Sequence, residues 1–188
     1  MSVETHVWLI RHVPVDGPRG IIHGPDAPAD LGDAAALAAL GARLPKNAFA
    51  VCSPARRTCE TAAALGLDPI KEPNFREQDF GTWTGRRHDD LVAELGEAYH
   101  EFWKSPASNR PPGGESFVDQ ISRAGAGLAA LPAGDVVLVV HSGTIRAALA
   151  IALDLASDAA LRFVIDPLSL TRIDRLENGW RVVAVNQR

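Results

Sequence analysis

Three short, nearly uninterrupted apolar runs constrain this chain more than anything else in it: His6 to Ile10, Ala48 to Cys52 and Val136 to Val140. Runs of this length suit strands buried on both faces, as in a parallel sheet. The segments between them carry helical spacing. Leu37, Leu40 and Leu44 form one series, Leu91, Leu95, Ala98 and Phe102 a second, Phe117, Ile121, Ala124 and Leu128 a third, and Ile145, Leu149 and Leu153 a fourth. Parallel strands need crossover connections and helices supply them. The alternation therefore predicts an α/β fold, a three-layer α/β/α sandwich with a mostly parallel central sheet. The end of the chain obeys a different period. Ser169 to Leu176 and Trp180 to Asn186 alternate around Glu177, Asn178 and Gly179, which predicts a C-terminal antiparallel edge hairpin.

A chain of 188 residues fits one domain, 1–188, and the Pro- and Gly-rich stretches at Val13 to Asp30, Ser105 to Gly114 and Pro132 to Gly134 are too short to be interdomain linkers. A net charge of -4 argues against nucleic acid as the main partner, because neutralising many phosphates takes a concentrated basic face. The first apolar run breaks at Arg11 and has no basic flank, which fits neither a signal h-region nor a membrane span, so a cytoplasmic location is expected. Cys52 and Cys59 make no CxxC pair and no disulfide framework, and are expected to be small core residues.

The chemistry concentrates where the apolar runs stop. The first runs into Arg11-His12, the third into His141-Ser142-Gly143, and the second into Ser53-Pro54-Ala55-Arg56-Arg57. In open α/β sheets ligands bind beyond the carboxyl ends of the strands, so two histidines and several arginines are expected to meet in one crevice. Guanidinium forks match phosphate oxygens, and imidazole can attack phosphorus near neutral pH, which points to a phosphoryl site. An acid to protonate the leaving alkoxide is also needed. Glu77, within Phe75-Arg76-Glu77-Gln78-Asp79-Phe80-Gly81, is the best-placed carboxylate, with Asp79 next.

Taken in order, these segments resemble the histidine phosphatase superfamily, also called phosphoglycerate-mutase-like. Leu9-Ile10-Arg11-His12 is similar to its signature and Ser53 to Arg57 to its serine-x-leucine-x-arginine segment. Glu77 to Trp83 is similar to its acid loop, and His141 to Arg146 to the segment of its second histidine. The resemblance implies a metal-independent, cofactor-free phosphomonoesterase with His12 as nucleophile and a phosphohistidine intermediate. It implies that Arg11, Arg57 and His141 clamp the phosphoryl group, and that Glu77 is first the acid and then the base for water. Arg57 is chosen over Arg56 because the family's arginine falls four residues after the serine. Ser142, His23 and Gly24 are expected to line the substrate.

The string Arg11-His12-x-x-Val15-Asp16-x-Pro18-x-Gly20, with Gly24, Asp26 and Pro28 after it, is similar to a subset of α-ribazole phosphatases of the cobalamin pathway; Pro111 to Ser116 is similar too, but to a segment shared more widely. That resemblance makes α-ribazole 5'-phosphate the first substrate to test. Val13, Pro14 and Val15 stand where the family usually has glycine, an acidic or amide residue and threonine, and Pro18 stands where an asparagine often binds phosphate. The alternatives are a phosphoglycerate-type mutase, or a non-catalytic phosphate- or protein-binding module on a decayed phosphatase fold. A metallohydrolase lacks its spacing, since the six histidines form no HExxH. The expected partner is a small phosphomonoester, neither nucleic acid nor membrane, and a homodimer is left open. His6, His88 and His100 are expected at the surface, and Trp83 is the tryptophan expected to border the site.

Overall fold

A computed structural model describes residues 4–188, so the first three residues of the expected domain lie outside the described part. The chain runs β1 (Thr5–Arg11), α1 (Ala34–Gly41), β2 (Phe49–Cys52), α2 (Arg56–Ala64), β3 (Ile70–Lys71), α3 (His88–Leu95), α4 (Glu97–Lys104), α5 (Phe117–Ala129), β4 (Gly134–Val140), α6 (Ser142–Ala152), α7 (Ser157–Ala160), β5 (Leu170–Leu176) and β6 (Gly179–Gln187). The six strands form one sheet in the order β3-β2-β4-β1-β5-β6. Strands β3, β2, β4 and β1 are mutually parallel, while β5 runs antiparallel to both β1 and β6. The mostly parallel sheet with an antiparallel C-terminal pair is the expected architecture.

The apolar runs are continuous because both faces of the sheet are covered. Val7, Leu9, Leu138 and Val140 pack on one face against Leu128 of α5 and Ile145 and Leu149 of α6. Ile10, Cys52, Val137 and Val139 pack on the other against Leu40 of α1 and Ala62 of α2. Successive side chains point to opposite faces, so a strand with two apolar faces needs every residue apolar. Truncating fully buried Leu9 or Leu138 to alanine should cost about 2–5 kcal/mol. Cys52 and Cys59 are free thiols in this second layer, with their Sγ atoms 3.7 Å apart, and burial beside Cys59 pushes Cys52 up to about 12.

Three local expectations need correction. The series from Leu91 to Phe102 is two helices, because Gly96 takes φ 51° and turns the chain between α3 and α4; Leu91 and Phe102 still reach one aromatic cluster. Helix α1 stops at Gly41, and Leu44 packs on the core from beyond its end. Gly179 is the first residue of β6, which leaves Glu177 and Asn178 as the hairpin turn. Strand β3 was not visible as a strand: two exposed residues carry no period. Among the described residues no helix is long and apolar enough to cross a membrane.

Candidate active site

Neighbouring strands end level with one another, and this assembles the site. Arg11 of β1 lies opposite Val140 of β4, and Cys52 of β2 lies opposite Val139. The next residues, His12, His141 and Ser53, therefore emerge side by side at the carboxyl edge, with His141 in the middle. The ladder continues one step past the strands: the His12 N–H donates to Val140 O at 3.0 Å and the Ser53 N–H to Val139 O at 3.1 Å. The two imidazoles meet edge to face with centroids 5.2 Å apart.

Hydrogen bonding sets both tautomers. The His12 Nδ1 lies against the carbonyl oxygen of Val13, which can only accept, so the proton sits on Nδ1. The other nitrogen, Nε2, receives the Nε–H of Arg57 at 3.2 Å and must be a lone pair. At His141 the order is reversed. Nη2 of Arg57 donates to Nδ1 at 3.2 Å, which leaves Nε2 to donate to Ser53 Oγ at 2.8 Å. Burial, reinforced by nearby positive charge, holds both histidines well below the ordinary imidazole pKa, so both are neutral bases. Thr61 joins the parts, accepting the Val13 N–H at 3.2 Å and donating to Arg57 O at 2.6 Å.

Positive charge surrounds this pair. Arg57 is only 5% exposed and spends Nη1 on Gly24 O at 2.8 Å. Arg11 reaches Ile165 O through Nη1, and its buried Nε has no partner. Arg146, one helical turn beyond Ser142, donates Nε to Phe163 O at 2.9 Å. Burial lowers the pKa of all three guanidiniums, and none is ion-paired with a carboxylate among the described residues. Uncompensated guanidiniums at a cavity wall make an anion site. By contrast Arg56 points outward and pairs with Glu60 at 2.7 Å.

Glu77 approaches from the opposite side. Its Oε1 accepts from the Gln78 N–H and from Gln120 Nε2, each at 3.1 Å, and its Oε2 accepts from the Gly143 N–H at 3.4 Å, in the first turn of α6. Glycine at 143 is what lets the carboxylate lie this close, because a Cβ there would stand 2.1 Å from Glu77 Oε1 and push that side-chain end away.

Two cavities of about 410 and 380 Å³ share His23, Arg57, Glu77, Gln78 and Thr84, and are lobes of one cleft. Arg11, His12 and Ser142 line the first lobe, Gly24 and His141 the second, so the cleft gathers every residue to which the sequence gave a catalytic or substrate-binding role. Beyond the guanidiniums the first lobe is walled by Val15, Ile21, Phe80, His88, Trp103 and Leu161. His88 was expected at the surface but lines the cleft, held by Tyr99 Oη through its Nδ1. Trp83 is buried at 5% exposure, and Trp103, at 43%, is the tryptophan at the cleft, stacked edge-on against Phe102 with centroids 5.0 Å apart. Sequence reasoning also passed over Arg146, whose signal was its place four residues after Ser142, on the same helix face. A separate cavity of about 500 Å³ lies behind the His12 loop between Val13, Leu40 and Arg43, and none of the singled-out residues lines it.

The fold and this cleft define an α/β protein with an arginine- and histidine-lined crevice at the carboxyl edge of its sheet, and comparison with known proteins places it more closely. The sequence pattern of the histidine phosphatase superfamily (branch 1) matches residues 7–188, and the chain belongs to that superfamily. A bifunctional protein of Mycobacterium tuberculosis is 35% identical over 149 residues, covering 74% of this chain but only 41% of that protein's length. A 2,3-bisphosphoglycerate-dependent phosphoglycerate mutase of Azorhizobium caulinodans is 36% identical over 73 residues, or 37% of this chain and 35% of the mutase. Among solved structures, a mycobacterial glucosyl-3-phosphoglycerate phosphatase matches with a TM-score of 0.82 at 27% identity, over 98% of this chain and 100% of its own. The α-ribazole phosphatase of Shigella flexneri shares the fold, with a TM-score of 0.86 at 23% identity over 97% of this chain and 96% of its own.

Proposed function

We propose that the protein is a phosphomonoesterase that forms a phosphohistidine on His12. One observation carries this reading: the unprotonated Nε2 of a buried, neutral imidazole faces a cleft ringed by guanidiniums that lack carboxylate partners. The incoming phosphoryl dianion draws the Arg57 guanidinium off Nε2 and onto its own oxygens. Arg11 and the His141 side of the cleft take the remaining oxygens, with Ser142, His23 and Gly24 around the substrate. The Nε2 lone pair then bonds to phosphorus as the ester P–O bond breaks, and Glu77 gives its proton to the departing alkoxide. Water, losing a proton to Glu77, attacks the phosphohistidine and releases inorganic phosphate. Stabilisation of the transferring oxygens by fixed cations is the main catalytic contribution in such a step.

The first lobe offers an apolar and aromatic wall to the leaving group. Together with the Val15 to Pro28 pattern this supports a phosphomonoester whose leaving alcohol carries a planar, apolar group, of which α-ribazole 5'-phosphate is the first candidate. A phosphoglycerate-type mutase is the second reading, favoured by the local likeness to such mutases. Release of free phosphate, rather than isomerisation of a phosphoglycerate, separates the two.

The direct test is to quench the reaction and look for acid-labile phosphate on the wild-type protein, and its absence from a folded His12→Ala variant. Undiminished turnover by His12→Ala would sink the mechanism.

A further inference from the structure

The Pro111 to Ser116 segment and Arg123 in the middle of α5 take no role in the reaction proposed above, yet Arg123 uses every donor it has beside the loop that carries Glu77. Arg123, one turn after Gln120 on α5, has five N–H donors. Nη1 donates to Asn74 O and Arg76 O, both at 2.8 Å. Nη2 donates to Glu77 O at 3.0 Å and to Glu115 Oε1, and Nε donates to Glu115 Oε2 at 3.0 Å. All five donors are used, three of them on backbone carbonyls of the loop that carries Glu77. Glu115 completes the clamp from the other side. Its Oε1 accepts the Asp79 N–H at 3.0 Å, its backbone N–H donates to Asp79 O at 2.9 Å, and its carbonyl accepts from Gln78 Nε2 at 2.9 Å. The Arg123 and Glu115 side chains are only 15% and 20% exposed.

From this geometry we infer that Arg123 and Glu115 are a positioning pair for the catalytic acid, an inference that rests on the reading of Glu77 as that acid. Neither side chain reaches the reacting atoms. Together they fix the backbone of residues 74, 76, 77 and 79, and so the origin and direction of the Glu77 side chain. No regular element does this for the loop, which holds only a short 3-10 turn at Pro73–Phe75 before Glu77. Carbonyls turned inward toward α5 need donors to meet them: Arg76 O also accepts from Gln120 Nε2 and Thr144 Oγ1, each at 3.2 Å, while one planar guanidinium meets Asn74 O, Arg76 O and Glu77 O at fixed mutual angles. A lysine in the same place has a single nitrogen and cannot span three carbonyls and a carboxylate. The Gly81 and Gly114 backbones close the arrangement: a Cβ on Gly114 would stand 2.3 Å from Asp79 O, so the Pro111 to Ser116 segment needs glycine to lie against the acid loop.

Misplacing a general acid penalises poor leaving groups and spares good ones, whereas general damage to the fold penalises both. Arg123→Lys, Arg123→Ala and Glu115→Gln are therefore compared with Glu77→Gln and wild type in single-turnover phosphorylation by an alkyl phosphate and by p-nitrophenyl phosphate, with vanadate affinity as the check on the phosphoryl pocket. The expected result is a loss of roughly 10- to 10²-fold with the alkyl phosphate, a several-fold smaller loss with p-nitrophenyl phosphate, and unchanged vanadate affinity. Added guanidinium should restore part of the alkyl-phosphate rate to Arg123→Ala. Should that variant not fold, Glu115→Gln, which keeps its shape and an acceptor oxygen, carries the same comparison. If Glu77→Gln discriminates between the substrates but the Arg123 and Glu115 variants lose both equally, or lose neither, the positioning role is wrong. Should Glu77→Gln itself fail to discriminate, the acid assignment falls, and this inference with it.

Discussion

Replacing Gly143 by alanine separates the acid's geometry from the fold in a way few substitutions can. Residue 143 is the second residue of α6 and has no left-handed φ, so alanine is unstrained there and gains about 1 kcal/mol of helix propensity over glycine. The added methyl meets two side-chain ends. It would stand 2.1 Å from Glu77 Oε1, and 2.9 and 3.0 Å from Oε1 and Nε2 of the Gln120 amide, and both ends can swing away. An ordinary carbon to oxygen contact begins near 3.4 Å, so the carboxylate must retreat by 3.4 − 2.1, or about 1.3 Å. A displacement of about 1 Å in a catalytic group can cost on the order of 10²-fold in rate. The expected Gly143→Ala variant is folded, melts within about 3 °C of wild type, and phosphorylates slowly from an alkyl phosphate. It should lose much less with p-nitrophenyl phosphate, whose leaving group needs no proton. Steady-state and single-turnover rates with the two substrates, beside a thermal melt, are the assay. Wild-type turnover of the alkyl phosphate by Gly143→Ala would refute the claim that this carboxylate, in this place, delivers the proton.

Further outcomes follow from the same structure. Burial depresses the pKa of His12 and His141 in the folded state, so below the unfolded value near 6.5 the unfolded chain binds the extra protons; stability is full above that pH and falls as pH drops toward the folded values. The slope there is up to ~1.4 kcal/mol per pH unit for each histidine, and urea melts across that range should lose it in His12→Ala and His141→Ala. Gly81→Ala should destabilise by about 2–4 kcal/mol, because φ is +53° and the new Cβ would stand 2.2 Å from the fixed backbone oxygen of Pro112; an unchanged urea midpoint would contradict this. Chelators should leave activity unchanged and vanadate should inhibit, since the guanidiniums provide the positive field; inhibition by EDTA that a divalent ion reverses would point to a metal-dependent reaction instead.

What the sequence by itself determined is the inner sheet and the edge that carries the cleft. The runs ending at Ile10, Cys52 and Val140 suit strands covered on both faces, and in a parallel sheet their ends share an edge, so His12, Ser53 and His141 were expected in one crevice; the strand order β2-β4-β1, which sets them side by side, came from the tertiary structure. The runs and their shared edge are local or periodic facts, readable without coordinates. Tertiary structure decided everything that depends on the path of a non-periodic segment. It placed the tryptophan of α4 rather than Trp83 at the cleft: Trp83 packs in the aromatic cluster with Tyr99 and Phe102, while Trp103 stays 43% exposed on the cleft wall. It chose the histidine tautomers through Val13 O, which can only accept, and the Arg57 guanidinium, which can only donate, contacts that depend on loop geometry of ångström accuracy. And it held the acid loop against α5 through Arg123, 46 residues from Glu77 in sequence, because buried carbonyls must find donors wherever the fold brings them.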